Sequence, residues 1–211
     1  RRRGPPARAT IGETRLELMD AWVVSAVNLY SGTSYPEGPC LLVESTGSEG
    51  VVADDLELVQ AIALAEGAID IVHERDPDAR ARLWQARHDA AHATAAMAPG
   101  TKVWATDVCV PLTELAAAAR FARSEIERLG LSAGILGHAG DGNLHVAIQV
   151  AEGEMERSEE LVHNVVDDAL ARGGTCSGEH GIGVGKIGAL EQEHGALIPL
   201  MQAIKASFDP N

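Results

Sequence analysis

The chain has 211 residues, 45% of them hydrophobic and 23% charged, which suits a folded globular protein with length for one large core or two small ones. Lys and Arg number 17 against 31 Asp and Glu, a formal net charge of −14, and so acidic a chain is a poor partner for nucleic-acid phosphates. No apolar run approaches the ~18 residues of a membrane helix, and RRRGPPARAT has no apolar stretch behind its charges, so it does not read as a signal peptide.

In chain order, RLELMD (15–20) alternates and predicts a short strand, followed by a helix in which Trp22, Ala26, Leu29 and Tyr30 share one face. SGTSYPEGP is a loop, and CLLVES (40–45) predicts a buried strand. A helix is expected over 54–68, then a strand-like AIDIVHE, then a long helix from Asp76 and Pro77 to the stop at Pro99-Gly100. KVWATDVCV (102–110) is the most strand-like run, and Pro111 to Thr113 opens a helix through Leu129. SAGILGH (132–138) and NLHVAIQV (143–150) predict two strands around a glycine-rich turn, followed by a helix over 154–172 closed by Gly173-Gly174. TCSGEHGIGVGK (175–186) is a second glycine-rich loop, and the chain returns to helix through Phe208. The fold class this implies is α+β, a mainly antiparallel sheet with helices packed on one face, plus a C-terminal helical segment. A Rossmann arrangement fits less well because the hairpin strands must be antiparallel. Cys40, Cys109 and Cys176 are scattered and form no CxxC pair, so they read as reduced thiols.

Two segments carry candidate chemistry. In GHAGDGNLH (137–145), Asp141-Gly142 signals a tight hairpin turn, and a turn centred there sets His138 opposite His145. Opposed strand residues have Cβ atoms roughly 4.5–5.5 Å apart, close enough for two imidazoles to bind one metal ion. The other reading is an exposed polar hairpin with two unrelated histidines. In the second loop, Glu179 and His180 lie between glycines. A carboxylate is a common third ligand beside two histidines, and neighbouring side chains diverge, so Glu179 can ligate while His180 faces a substrate as general base. The competing reading is a loop that caps a helix without chemistry.

Gly183 to Gly188 matches GxGxxG, but no strand precedes it, and the phosphate-loop pattern fails because Ile187 follows Lys186 where Ser or Thr is needed. Arg87, in LWQARHDA, is either a snorkelling surface group or a clamp for a carboxylate. His73, His88, His92, His163 and His194 have no partner in a motif and read as structural. A zinc hydrolase shares the ligand set of two histidines and one glutamate, but no HExxH is present.

GHAGDGNLH followed by GTCSGEHGIGVGK, with NLYSGTSYPEGP, LWQARHDA and ATDVCVP, resembles the C-terminal half of FAD-linked oxidases that act on D-2-hydroxy acids, most of all the D-lactate dehydrogenase branch. The resemblance implies the ferredoxin-like C-terminal domain of that family over 15–211, with 1–14 a linker from an FAD-binding domain outside this sequence. It further implies His138, His145 and Glu179 as metal ligands for Zn or Mn, His180 as general base, and Arg87 as the substrate-carboxylate clamp. Asp141 and Asn143 would shape the hairpin behind the ligands. FAD would be held mainly by the N-terminal FAD-binding domain, leaving this segment inactive alone. The electron acceptor would be a quinone, a cytochrome or an electron-transfer flavoprotein, in a cytoplasmic protein with peripheral contact at the inner membrane. Ala91, Ala105 and Ala147 stand where dicarboxylate-using relatives carry polar groups, which implies a short monocarboxylic substrate; glycolate-oxidase-like use and a non-catalytic metal-binding module are the alternatives.

Overall fold

The structure, a computed structural model, describes residues 14–209. A strand β1 (Thr14–Met19) leads into helix α1 (Ala21–Ser31), which Asp20 caps by accepting the Val23 N–H at 2.9 Å and Gly32 ends with φ 65°. The edge strand β2 (Cys40–Ser45) is followed by α2 (Glu49–Ala65), α3 (Pro77–His88) and α4 (Ala90–Ala96). Strands β3 (Lys102–Ala105) and β4 (Val108–Cys109) precede α5 (Leu115–Leu129). The hairpin β5 (Ser132–His138) and β6 (Asn143–Val150) is followed by α6 (Met155–Ala171), α7 (Ile187–His194) and α8 (Ile198–Phe208). Among the described residues, no helix is long and apolar enough to cross a membrane.

The strands form one antiparallel sheet in the order β2-β1-β5-β6-β3, with β4 also on β6. The expected α+β class and antiparallel sheet are both present. The helices, however, cover both faces, because β5 and β6 alternate apolar residues in two directions. Ile135, Leu144, Val146 and Ile148 pack with Ala122 and Ile126 of α5 and Leu161 and Val165 of α6. Leu136 and Ala147 pack on the opposite face with Val23 and Val27 of α1, Ala86 of α3 and Ala90 and Ala93 of α4. Strands buried on both faces read as continuous apolar runs, so the run of β6 could not by itself indicate one covering layer or two.

Several expected elements shift. Thr14, placed in the linker, opens β1; the rest of 1–13 lies outside the described residues. In α1 the buried face is Val23, Val24, Ala26 and Val27, while Leu29 and Tyr30 are exposed. β2 lies at the sheet edge, half-buried rather than buried, with Leu41 exposed. The helix expected from 54 begins at Glu49 behind Ser48. AIDIVHE forms no strand: Ile69 and Val72 are exposed and the run pairs with nothing in the sheet. The long helix after Asp76 divides at Asp89, and the C-terminal helix divides at a 3-10 turn over Gly195–Leu197. The strand expected over 102–110 is interrupted at Thr106 and Asp107, the point on which the site depends.

Candidate metal and proton-transfer site

The hairpin turn runs over His138 to Asp141, whose N–H donates to the His138 carbonyl at 3.0 Å. It is therefore not centred on Asp141-Gly142. Gly142 follows with φ 74°, and a Cβ there would lie 2.1 Å from the Val110 carbonyl oxygen, so only glycine fits. The register pairs Leu136 with His145, which sets His138 diagonal to His145 instead of opposite it. The rings still meet edge to face, with centroids 5.8 Å apart. Asp141 contributes through its backbone, its carbonyl accepting from the Cys109 thiol at 3.1 Å. Asn143 is buried with its side chain against Gly178 of the second loop.

Each histidine has its Nδ1 held from behind. β1 pairs Glu17 with His138, and His138 Nδ1 donates to Glu17 Oε1 at 2.9 Å. The other carboxylate oxygen of Glu17 accepts from Arg87 Nη2 of α3 at 2.8 Å. His145 Nδ1 donates to the Thr106 carbonyl at 3.1 Å. That carbonyl is free to accept because the Thr106 hydroxyl replaces it in the ladder, taking the Val146 N–H at 2.9 Å. Since carbonyl and carboxylate oxygens only accept, both Nδ1 atoms carry a proton, and Nε2 is the atom that each ring turns toward Glu179. Burial pushes His145 below the ordinary histidine pKa and proximity to His180 adds to this, against the raising bond to Thr106 and the raising charges of Asp107 and Glu179.

The second loop supplies the remaining groups. Glu179 Oε1 lies 3.4 Å from His138 Nε2, 3.2 Å from His145 Nε2 and 3.7 Å from His180 Nε2. The His180 ring stacks on His145 with centroids 5.0 Å apart. Asp107, 1% exposed, accepts the N–H of Glu179 and of His180, the Ser177 hydroxyl and Lys186 Nζ. Burial raises its pKa, but the His180 N–H, Ser177 hydroxyl, Glu179 N–H and Lys186 charge outweigh burial and hold the carboxyl far below the usual range.

His138, His145 and Glu179 can hold a metal ion, since one ligand atom from each lies within 4.8 Å of the others. Two imidazole Nε2 atoms and one carboxylate suit Zn²⁺ and equally Mn²⁺, and the held Nδ1 atoms are the outer contacts such ligands require. Asp107, His145 and His180 form a second group of the same span. It fits less well, because the Asp107 oxygens already face four donors and His145 Nδ1 is committed to Thr106. Glu17→Gln is expected to weaken Mn²⁺ binding by ~10–100-fold, measured by EPR titration, with the fold kept.

The structure thus brings His138, His145, Glu179 and His180 together. It places Arg87 one residue removed, on Glu17, and buries its Nε without a partner among the described residues. Ala105 and Ala147 are paired across β3 and β6, and Ala91 is exposed on α4. Among the described residues, His73, His88, His92 and His163 enter neither group of possible ligands, and His194 pairs with Glu193. Lys186 Nζ donates to the Asp107 carbonyl at 2.8 Å, which gives the GxGxxG stretch a structural role. Sequence reasoning missed Glu17, Thr106, Asp107 and Lys186. The available signals were the polar Thr-Asp pair inside an apolar strand run and the acidic residue of β1.

The chain is 38% identical over 202 residues to "D-lactate dehydrogenase [cytochrome], mitochondrial" of Arabidopsis thaliana, covering 94% of this chain and 36% of that protein. It is 36% identical over 207 residues to "Probable D-lactate dehydrogenase, mitochondrial" of Danio rerio, covering 96% and 42%. Against "Glycolate oxidase subunit GlcD" of Escherichia coli (strain K12) it is 33% identical over 202 residues, covering 93% and 40%. The chain therefore spans less than half the length of these relatives. In fold it is similar to 4-ethylphenol oxidase from Gulosibacter chungangensis, with TM-score 0.59 and 12% identity over 93% of this chain and 45% of that one. Residues 6–211 match the family described as FAD linked oxidases, C-terminal domain, and the chain belongs to that family.

Proposed function

We propose that the chain is the substrate- and metal-binding part of an FAD-dependent dehydrogenase that oxidises a short D-2-hydroxy acid, D-lactate first, to the 2-oxo acid. The observation that carries this reading is the meeting of His138 Nε2, His145 Nε2 and Glu179 Oε1 beside the His180 ring. When bound, a divalent ion held by His138, His145 and Glu179 supplies Lewis acidity toward the hydroxyl and carboxylate oxygens of the substrate. FAD, held mainly by residues outside this chain, supplies the hydride acceptor.

The oxidation removes one proton and one hydride from the substrate, and His180 is the residue that takes the proton. Its ring, about half exposed, is steadied by stacking on His145 and by the backbone bond to Asp107. Arg87 holds Glu17, which in turn holds His138, so its contribution is to position that ring. Ala91, Ala105 and Ala147 offer no cation to a second carboxylate, which supports a monocarboxylic substrate. The electron acceptor of the full-length protein is a quinone, a cytochrome or an electron-transfer flavoprotein, and similarity to the Arabidopsis D-lactate dehydrogenase [cytochrome] favours a cytochrome.

A glycolate oxidase role is the second reading, favoured by the identity to the E. coli subunit. The test is anaerobic stopped-flow bleaching of flavin in the full-length protein with D-lactate, D-2-hydroxybutyrate, glycolate and D-2-hydroxyglutarate. D-lactate is expected to exceed D-2-hydroxyglutarate by at least ~10-fold in kcat/KM. Preference for glycolate would select the second reading, and bleaching by none of the four would overturn both.

A further inference from the structure

We propose that Asp107 is the positioning residue of this site: its carboxylate gathers the backbone of the second loop so that Glu179 and His180 stand against the hairpin histidines. The roles assigned to Glu179 and His180 rest on the function proposed above; the positioning by Asp107 rests on geometry. β3 and β4 keep one register against β6, with Ala105 opposite Ala147 and Val108 opposite Leu144, so no residue is inserted between them. Carried through the gap, that register sets Thr106 against Val146 and Asp107 against His145. The Thr106 N–H indeed donates to the Val146 carbonyl at 2.9 Å. Asp107 therefore reaches the site from the short gap between β3 and β4, held in register against β6, and its side chain is fully buried.

Among the described residues, every hydrogen-bond donor to this carboxylate comes from one short stretch, 177–186. The Glu179 N–H lies 3.1 Å from both oxygens, the His180 N–H 2.8 Å from Oδ2, the Ser177 hydroxyl 2.9 Å and Lys186 Nζ 3.3 Å from the same oxygen. The stretch belongs to no helix or strand, so the Glu179 and His180 amides have no ladder to pair with, and the buried carboxylate takes both, while Lys186 N–H turns back to the Ile182 carbonyl. Gly178 permits the approach: a Cβ there would lie 2.9 Å from Asp107 Oδ1 and 2.7 Å from Asn143 Nδ2. The dipeptide Thr106-Asp107 thus sets both halves of the site, since the Thr106 carbonyl fixes the His145 ring.

The experiment uses the full-length, FAD-loaded protein and compares Asp107→Asn with wild type and with Asp168→Asn, which removes a carboxylate paired with Arg172 on α6. Hydrogen exchange across 175–186 is expected to speed up at least ~10-fold in Asp107→Asn. Mn²⁺ affinity by EPR titration should fall ~10–100-fold, and kcat should fall by more than KM rises. Asp168→Asn should leave all three unchanged. Wild-type exchange across 175–186 in folded, flavin-loaded Asp107→Asn overturns the proposal. If Asp107→Asn loses flavin or fold, Ser177→Ala decides: it removes one donor, and faster exchange in the same stretch supports the proposal whereas unchanged exchange overturns it. A wild-type protein that binds no Mn²⁺ overturns the proposed function instead, and the exchange comparison still decides the role of Asp107.

Discussion

His180→Ala is expected to lower the rate of flavin reduction by D-lactate by ~10²–10⁴-fold, the usual contribution of a positioned general base. Its Nε2 stands 3.7 Å from Glu179 Oε1 at the open side of the metal-ligand set, and the ring is about half exposed, so it is reachable by a substrate. The same substitution should leave metal binding almost unchanged. The ring is outside the proposed ligand set, and the backbone N–H that donates to Asp107 survives truncation of the side chain. Single-turnover stopped-flow measures the first quantity and Mn²⁺ EPR the second. Reduction at the wild-type rate would show that another group takes the proton.

Glu179→Ala has the converse expectation: Mn²⁺ affinity falls by more than ~100-fold, beyond what loss of an outer contact produces, while the fold persists. Glu179 Oε1 is the one anionic atom among three ring nitrogens, at 3.2, 3.4 and 3.7 Å. Its removal leaves three imidazoles facing one another with no carboxylate between them. The side chain is about half exposed, and its loop is held through the main chain, so little core packing is lost. Glu179→Gln should fall between, since it keeps the shape and loses the charge. Metal content by elemental analysis after dialysis checks both, and wild-type retention in Glu179→Ala would exclude this residue as a ligand.

The parts of the site that were legible in the sequence are those whose chemistry is concentrated in a short stretch. His138, His145, Glu179 and His180 lie in two glycine-rich segments whose residue types have few other uses together. The antiparallel hairpin was legible for the same reason, because strand–turn–strand order leaves it no other pairing. What supports the site was not legible, since it depends on long-range register. Nothing local to Glu17 shows that β1 will pair it with His138, 121 residues away. Thr106 and Asp107 sat inside a run with strong strand character, and a strand reading accounts for their neighbours on both sides.

The two errors of geometry have a common origin. A turn centred on Asp141-Gly142 was the strongest local signal, yet Gly142 is drawn against the Val110 carbonyl by β4, a strand that local pattern cannot place. The turn moves back towards His138, and the two histidines become diagonal neighbours. Similarly, the helices divide between both faces because α1 and α4 follow the apolar side of β5 and β6 that carries Leu136 and Ala147. Arg87 is the instructive residue. The sequence offers a surface group or a clamp for a substrate carboxylate, whereas its guanidinium is held on Glu17 of β1, a partner set by long-range pairing.

The central claim, that the β5–β6 hairpin and the loop after α6 close one metal site with a base beside it, is tested most directly by locating the metal. Crystals of the full-length protein soaked in Mn²⁺ and measured at the manganese absorption edge should show an anomalous peak ligated by His138 Nε2, His145 Nε2 and Glu179 Oε1, with His180 outside the ligand set. A peak ligated by Asp107 or His180, or no peak between the hairpin and the second loop, would contradict it.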